Sequence, residues 1–390
     1  MNNLLIKDIK IAIIGGGPGG LTLARLLQLQ GASVKVYERD IDQHQRQQGA
    51  TLDLHDESGL KALTAAGLIG EFKKHYRPGA DRLKLMDEQG NVVFSDHDEK
   101  LADDFGHPHF RPEIDRGPLR SLLINSLTEN TMQWNSQFVS MEQLNQQWLM
   151  HFKNGKTDLA DLVIAADGAN SKIRPYLSAI KPIHSGLSVI EGHIHHAQES
   201  APQLNMRLQN GKIFALGKEK SIILSAKGDG SLSFYAGLKS TANWIEESGI
   251  DFNNKSSVFN WFKTAFSDWN PLWEELFTAD EVYFVARAMR HFPLDQSWET
   301  QSNLTMLGDA AHLMPPYAGE GVNMAMLDAL ELSNSLTNVR FSSLKEAIST
   351  FEQYMCKRSA EVTAFTLEQT EALHAENALP YLVELFSDQD

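Results

Sequence analysis

The stretch IAIIGGGPGG, residues 11–20, decides the reading. Ile11–Ile14 is an apolar run ending on glycine, the signature of a buried strand meeting a tight turn. Gly15-x-Gly17-x-x-Gly20 opens a helix expected over 19–30 and closed by Gly31, and Val34–Glu38 reads as the next strand. In that strand–turn–helix setting the glycines allow a sharp turn, close approach of the backbone to a pyrophosphate, and close helix–strand packing. The helix N-terminus adds unpaired N–H groups and a partial positive charge. Glu38, at the end of the second strand, can accept hydrogen bonds from a ribose diol and disfavours a 2′-phosphate. Arg39 beside it is counted among the contacts of the same ligand.

A second segment, LTMLGDAAHLMPP at residues 304–316, lies too late in the chain to belong to that βαβ unit. Asp309 sits among small residues, Ala310 and Ala311, that permit close approach to a polyol hydroxyl. Pro315 and Pro316 stiffen the loop. Gly319-Glu320-Gly321 then opens a helix expected over 320–336, and its N-terminus can stabilise negative charge on a reduced ring. A chain that cradles pyrophosphate at one segment and a polyol at another binds something long, and FAD is the expected ligand. Asp167-Gly168, stopping the apolar strand 160–166, and Arg116 with Arg120, one helical turn apart, add candidates. The arginines either clamp a phosphate or flavin edge, or lie on a solvated helix face. His312 has no Ser or Asp partner at a telling spacing and reads as structural. His193, His195 and His196, and His107 with His109, show no third ligand, so no metal site is expected.

The chain has 390 residues, 42% hydrophobic and 22% charged, with a net charge of −15. The acidity speaks against nucleic acid and against a basic membrane-binding face. The lone cysteine, Cys356, forms no intrachain disulfide, which fits a cytoplasmic protein. The fold class expected is α/β, a Rossmann-like FAD-binding domain with an inserted, mostly antiparallel substrate sheet centred on 183–240, and a long C-terminal helix. The boundaries read as 1–70, 105–180 and 280–336 for the FAD-binding domain, 71–104 and 181–279 for the substrate domain, and 340–390 for a helix bridging the two. A monomer is expected.

The three fingerprints Gly15-x-Gly17-x-x-Gly20, Asp167-Gly168 and Gly308-Asp309, in this order, resemble those of the class A flavoprotein monooxygenases, the para-hydroxybenzoate hydroxylase-like family. Within it, IAIIGGGPGGLTLARLLQ, VYERD, GATLDLH, PEIDRGPLRSLLINSL and GDAAHLMPPYAGEGVN resemble the tetracycline-inactivating flavin monooxygenases. The resemblance implies FAD contacts for Glu38, Asp53, Arg116 and Asp309, an NADPH contact for Arg46, and places for Pro316 and Gly319 beside the isoalloxazine. It implies non-covalent FAD reduced by transient NADPH, O2 as co-substrate, and oxygen transfer from a flavin C4a-hydroperoxide to a phenolic, enolic or polyketide-type ring. No protein nucleophile is then required. There is no second strand–glycine–helix segment for NADPH. Those enzymes line the tetracycline site with a Gln, an Arg and a His, where this chain is expected to carry Glu191, Ile213 and Ser233, and Glu320 replaces a Gln. Glu191 reads either as a base assisting substrate deprotonation or as a salt-bridged acid. A flavin reductase of the same fold and a flavin-loaded redox sensor remain alternatives.

Overall fold

The structure is a computed structural model describing residues 5–45, 51–97, 104, 105, 107 and 110–387. A five-stranded parallel sheet runs in the order Leu304–Met306, Leu162–Ala165, Lys10–Ile14, Ser33–Tyr37, Met132–Gln133. Its three inner strands are apolar because helices or a second sheet cover both faces, as parallel sheets require. Helix Pro18–Leu29 begins with proline in its first turn, where the missing N–H costs nothing. It packs against helix Glu320–Thr337 so closely that a Cβ on Gly19 would lie 2.9 Å from the Ala325 carbonyl oxygen.

A seven-stranded sheet follows the order Val282–His291, Ile183–Ile194, Leu232–Lys239, Lys220–Ala226, Lys212–Gly217, Leu83–Asp87, Val92–Ser95. It is antiparallel except where Lys212–Gly217 pairs with Leu83–Asp87. The sheet is wider than the sequence suggested. Residues 282–291, expected in the FAD-binding part, form its edge strand along Ile183–Ile194, so the boundary drawn at 280 falls too early.

The two faces of this sheet differ. One carries Ile190, Ile194, Ile213, Leu224 and Phe234, sealed by aromatic side chains from 255–278 such as Phe262, Trp273 and Phe277. On the other, Leu187, Val189, Tyr235 and Met289 gather around Tyr317, a residue of the loop after Asp309. Helix Leu344–Ala372 is N-capped by Ser343, whose hydroxyl accepts from the Glu346 N–H, and packs on Glu320–Thr337. A separate short helix, Ala378–Ser387, follows; Leu382 and Ala378 cover Leu83, Leu85 and Leu216. Burial of that apolar stripe, rather than helix propensity, explains why so short a segment is helical.

Candidate active site

The glycine turn is forced by its surroundings. Gly15 has φ +115°, and a Cβ there would lie 2.2 Å from the Ala166 carbonyl oxygen; one on Gly20 would lie 2.3 Å from that of Gly15. Gly17 differs: a Cβ there would meet nothing within 4 Å, leaving open space at the helix N-terminus. No side chain caps that terminus. The Glu38 carboxylate, buried, accepts from the Gly16 N–H at 2.9 Å and the Asp40 N–H at 3.0 Å. It braces the cradle, and each oxygen keeps lone-pair capacity for a ribose. Arg39 is exposed beside it.

Arg120 does not lie on a solvated face. It is 6% exposed, donates from Nε to the Gly16 carbonyl at 3.2 Å and from Nη2 to Asp40 at 3.1 Å, and sits over Trp134. Its fork supports the loop from behind. A guanidinium is tolerated there because carboxylates and a carbonyl meet it.

Gly308, at φ +59°, turns the chain into Asp309. The Gly308 N–H donates to Asp328 at 2.8 Å, and Asp328 also pairs with His312 and Arg358. His312 therefore has a carboxylate partner that sequence spacing did not reveal; it lies sixteen positions on, across the next helix. Burial favours the neutral acid at Asp328, but His312 and Arg358 outweigh it and hold its carboxyl below the usual range. The Asp309 carboxyl is instead raised, because burial outweighs the pull of His312 and Arg116. Among the described residues Asp309 has no hydrogen-bond partner. Asp167 accepts from the Lys172 N–H at 2.8 Å through one oxygen, while the other is buried without a partner. Its carboxyl is also pushed up by burial. Two under-satisfied acids near an open glycine cradle fit a ligand rich in hydroxyls. Unpaired buried oxygens are costly unless such a partner arrives.

Beyond Asp309, Pro316 is exposed and Gly319 adopts φ +71°. A Cβ on Gly319 would lie 3.0 Å from an Asp53 carboxylate oxygen. Asn323, fully buried, donates to the Asp53 carbonyl at 2.9 Å and accepts from the His55 N–H at 2.9 Å. This link was missed: nothing in an isolated asparagine one turn into a helix announces it. Gly321 follows at the helix N-terminus, where a Cβ would lie 3.9 Å from Asp309. Burial penalises the charged form of Asp53, yet His55, Lys212 and Arg111 bring its carboxyl to about 2. Glu320 is pushed up by burial despite His55 and Arg111. Arg116 begins its helix close enough to Asp309 and Tyr235 for both to feel its charge.

On the opposite wall, directly paired strand residues share a face. Glu191 pairs with Tyr235, and His193 with Ser233, so all four lie on the face toward Tyr317. Ile213 does not. It pairs with Leu224 and is buried in the aromatic-sealed core on the other side. The expectation of Ile213 in the site is corrected by one residue, and a one-residue shift flips the side chain across a sheet. Its neighbours Lys212 and Phe214 take the cleft face. Lys212 pairs with Glu113, whose carboxyl is pushed up to about 7 by burial, with Lys212 opposing and Asp53 adding to the rise.

Ser233 is 1% exposed and its hydroxyl lacks a partner. Glu191 accepts from His193 at 2.9 Å and from Arg287 Nε at 2.6 Å. Against burial, those two hold its carboxyl at about 2. These contacts fit the salt-bridged alternative. Arg46 lies outside the described residues. Among those described, no three His, Cys, Asp or Glu side chains are grouped to hold a metal ion, and no helix is long and apolar enough to cross a membrane.

The parallel sheet, glycine cradle and inserted sheet are the fold of the class A flavoprotein monooxygenases, and the chain is an FAD-dependent monooxygenase. The chain belongs to the FAD binding domain family, which matches residues 8–366. It is similar to the monooxygenase asqM of Emericella nidulans, 28% identical over 395 residues, covering 88% of this chain and 87% of that one. Among solved structures it resembles Klebsiella pneumoniae HpxO complexed with FAD and uric acid, with TM-score 0.74 and 20% identity over 100% of this chain and 94% of the other. It also resembles tetracycline destructase Tet(55), with TM-score 0.74 and 20% identity over 94% and 90%. At those identities the structural likeness speaks for the fold.

Proposed function

We propose that the chain is an NADPH-dependent FAD monooxygenase that adds one oxygen atom to a phenolic, enolic or polyketide-type ring, acting in the cytoplasm. The observation that carries this is the meeting of two surfaces. The Pro316–Gly319 turn, which the sequence resemblance puts beside the flavin ring, touches the cleft face of the seven-stranded sheet through Tyr317, which packs on Leu187, Val189, Met289 and Tyr235. Bound FAD would accept hydride from NADPH and deliver one atom of O2; the protein binds, orients and excludes water.

In this reading Gly15, Gly17 and Gly20 hold the pyrophosphate. Glu38 takes the ribose, with exposed Arg39 at the adenosine end. Asp309 and Asp167 use their free oxygens on the polyol. Arg116 neutralises charge between cofactor and substrate walls. Asp53, Pro316, Gly319 and the helix N-terminus at Gly321 surround the ring, and Arg46 contributes charge to transient NADPH.

On the substrate wall, the unpartnered Ser233 hydroxyl and the Lys212 ammonium supply polar recognition. Tetracycline is the best named candidate. With Ile213 removed from the cleft face and Lys212 on it, a cation stands where the resemblance calls for an arginine. The test is substrate-dependent NADPH oxidation with a mass gain of one oxygen in the product, run over tetracyclines and simpler phenols. NADPH oxidation without oxygen incorporation would favour a reductase and sink the proposal.

A further inference from the structure

Arg287 lies on the edge strand Val282–His291, opposite Val189 and two residues before Met289, on the face that packs against Tyr317. Its Nε donates to Glu191 at 2.6 Å, while the side chain remains 53% exposed. Neither terminal nitrogen hydrogen-bonds to a described residue. Glu191 is itself fixed by His193 at 2.9 Å, and His193 stacks on Tyr283 with ring centroids 4.7 Å apart. The guanidinium is thus clamped at its root, with its terminal pair of N–H donors unused.

A surface ion pair would not need this support. Two exposed long side chains gain little from pairing. Here the acid is 4% exposed and held from two sides, so the fork has a fixed orientation at little further entropic cost. The Tyr235 hydroxyl lies within the field of Glu191 and of two guanidiniums, Arg116 and Arg287. Arg287 meets Glu191 through Nε alone, so its terminal pair remains able to receive an anionic group.

Resting on the monooxygenase proposal for the same cleft, we propose that Arg287 is the anion anchor of the substrate site, positioned by Glu191, and that the substrate carries a planar anion with two oxygens. A carboxylate and the enolate of a 1,3-diketone share that chemistry. Both match a two-pronged donor, which a neutral amide or ester does not.

The test is calorimetric titration of the FAD-loaded protein with salicylate, with its neutral counterpart salicylamide, and with 2-acetylcyclohexane-1,3-dione, whose enolate presents the acetyl oxygen and a ring oxygen on one side. At least one anion should bind more tightly than salicylamide; whichever does identifies the source. Arg287→Gln should weaken that anion roughly ten- to a hundredfold while leaving salicylamide unchanged. Arg287→Lys should recover part of the loss, because charge returns without the fork. Glu191→Gln should shift anion affinity in the same direction by less, raising KM more than it lowers kcat.

Equal binding of anions and amide by the unmodified protein would overturn the proposal. So would an Arg287→Gln loss that is the same for both. Calorimetry does not depend on turnover. Anion-selective binding in a protein that makes no oxygenated product would keep the anchor and remove the monooxygenase reading.

Discussion

Replacing Asp309 by asparagine should move protein stability and FAD affinity in opposite directions. In the cofactor-free protein Asp309 has no hydrogen-bond partner among the described residues, and burial raises its carboxyl pKa despite His312 and Arg116. A folded-state pKa above the unfolded value means the native state binds more protons. Stability from this group is therefore complete below the ordinary carboxylate range and is lost as pH rises above it. At neutral pH the ionised side chain destabilises the apo-protein. The amide would keep the shape and remove the charge, raising apo stability by on the order of 1–3 kcal/mol and flattening its decline with pH. The same change removes a charged acceptor from a cofactor hydroxyl, which costs about 1.5–3 kcal/mol, or roughly a ten- to a hundredfold rise in the FAD Kd. Denaturant unfolding of apo-protein measures the first effect, and fluorescence titration with FAD the second. The stability added by a fixed excess of FAD should shrink with the weaker affinity alone. An Asp309→Asn protein with unchanged FAD affinity, or with a less stable apo form, would refute the assignment.

Other changes separate the roles of neighbouring groups. Asp328→Asn leaves the buried His312 without its carboxylate and Arg358 with Glu331 alone, and should cost about 3–5 kcal/mol of stability and most of the bound FAD; an FAD-replete variant of normal stability would contradict the part given to the Gly308 N–H. Ile213→Ala should lower stability by about 2–5 kcal/mol through a core cavity while leaving the ranking of substrates unchanged; altered specificity with normal stability would return this residue to the site. With a carboxyl at about 2, Glu191 should give no rate titration across the ordinary carboxylate range, and its contribution to stability, present above the unfolded pKa, should fade only as pH falls toward 2; a Glu191→Gln variant that loses an acid limb from its pH–rate profile would restore the base. Arg46→Ala should raise the NADPH KM and spare FAD content; loss of FAD with unchanged NADPH kinetics would reverse its assignment.

What sequence alone determined were features whose physics is local. Gly15, Gly17 and Gly20 are required by backbone geometry over a few residues, so the cradle was legible, as were the Gly308–Asp309 turn and the helix opening at Gly319–Gly321. A strand that ends on glycine before a helix is written in consecutive letters. Tertiary structure decided everything that depends on which side of an element a residue faces, or on what crosses between elements. Arg120 reads as a helix-surface cation until the Gly16 carbonyl and Asp40 close over it. His312 looks solitary until the next helix brings Asp328. Strand 282–291 joins the substrate sheet because Ile183–Ile194 offers it an edge, and no nearby residue signals that partner. Ile213 and Lys212 exchange faces through a register of one residue, set by pairing with Leu224 and Ser225 on the neighbouring strand. Side chains alternate faces with every residue of a strand, so an uncertainty too small to disturb recognition of the fold is enough to exchange an isoleucine for a lysine in the active-site wall.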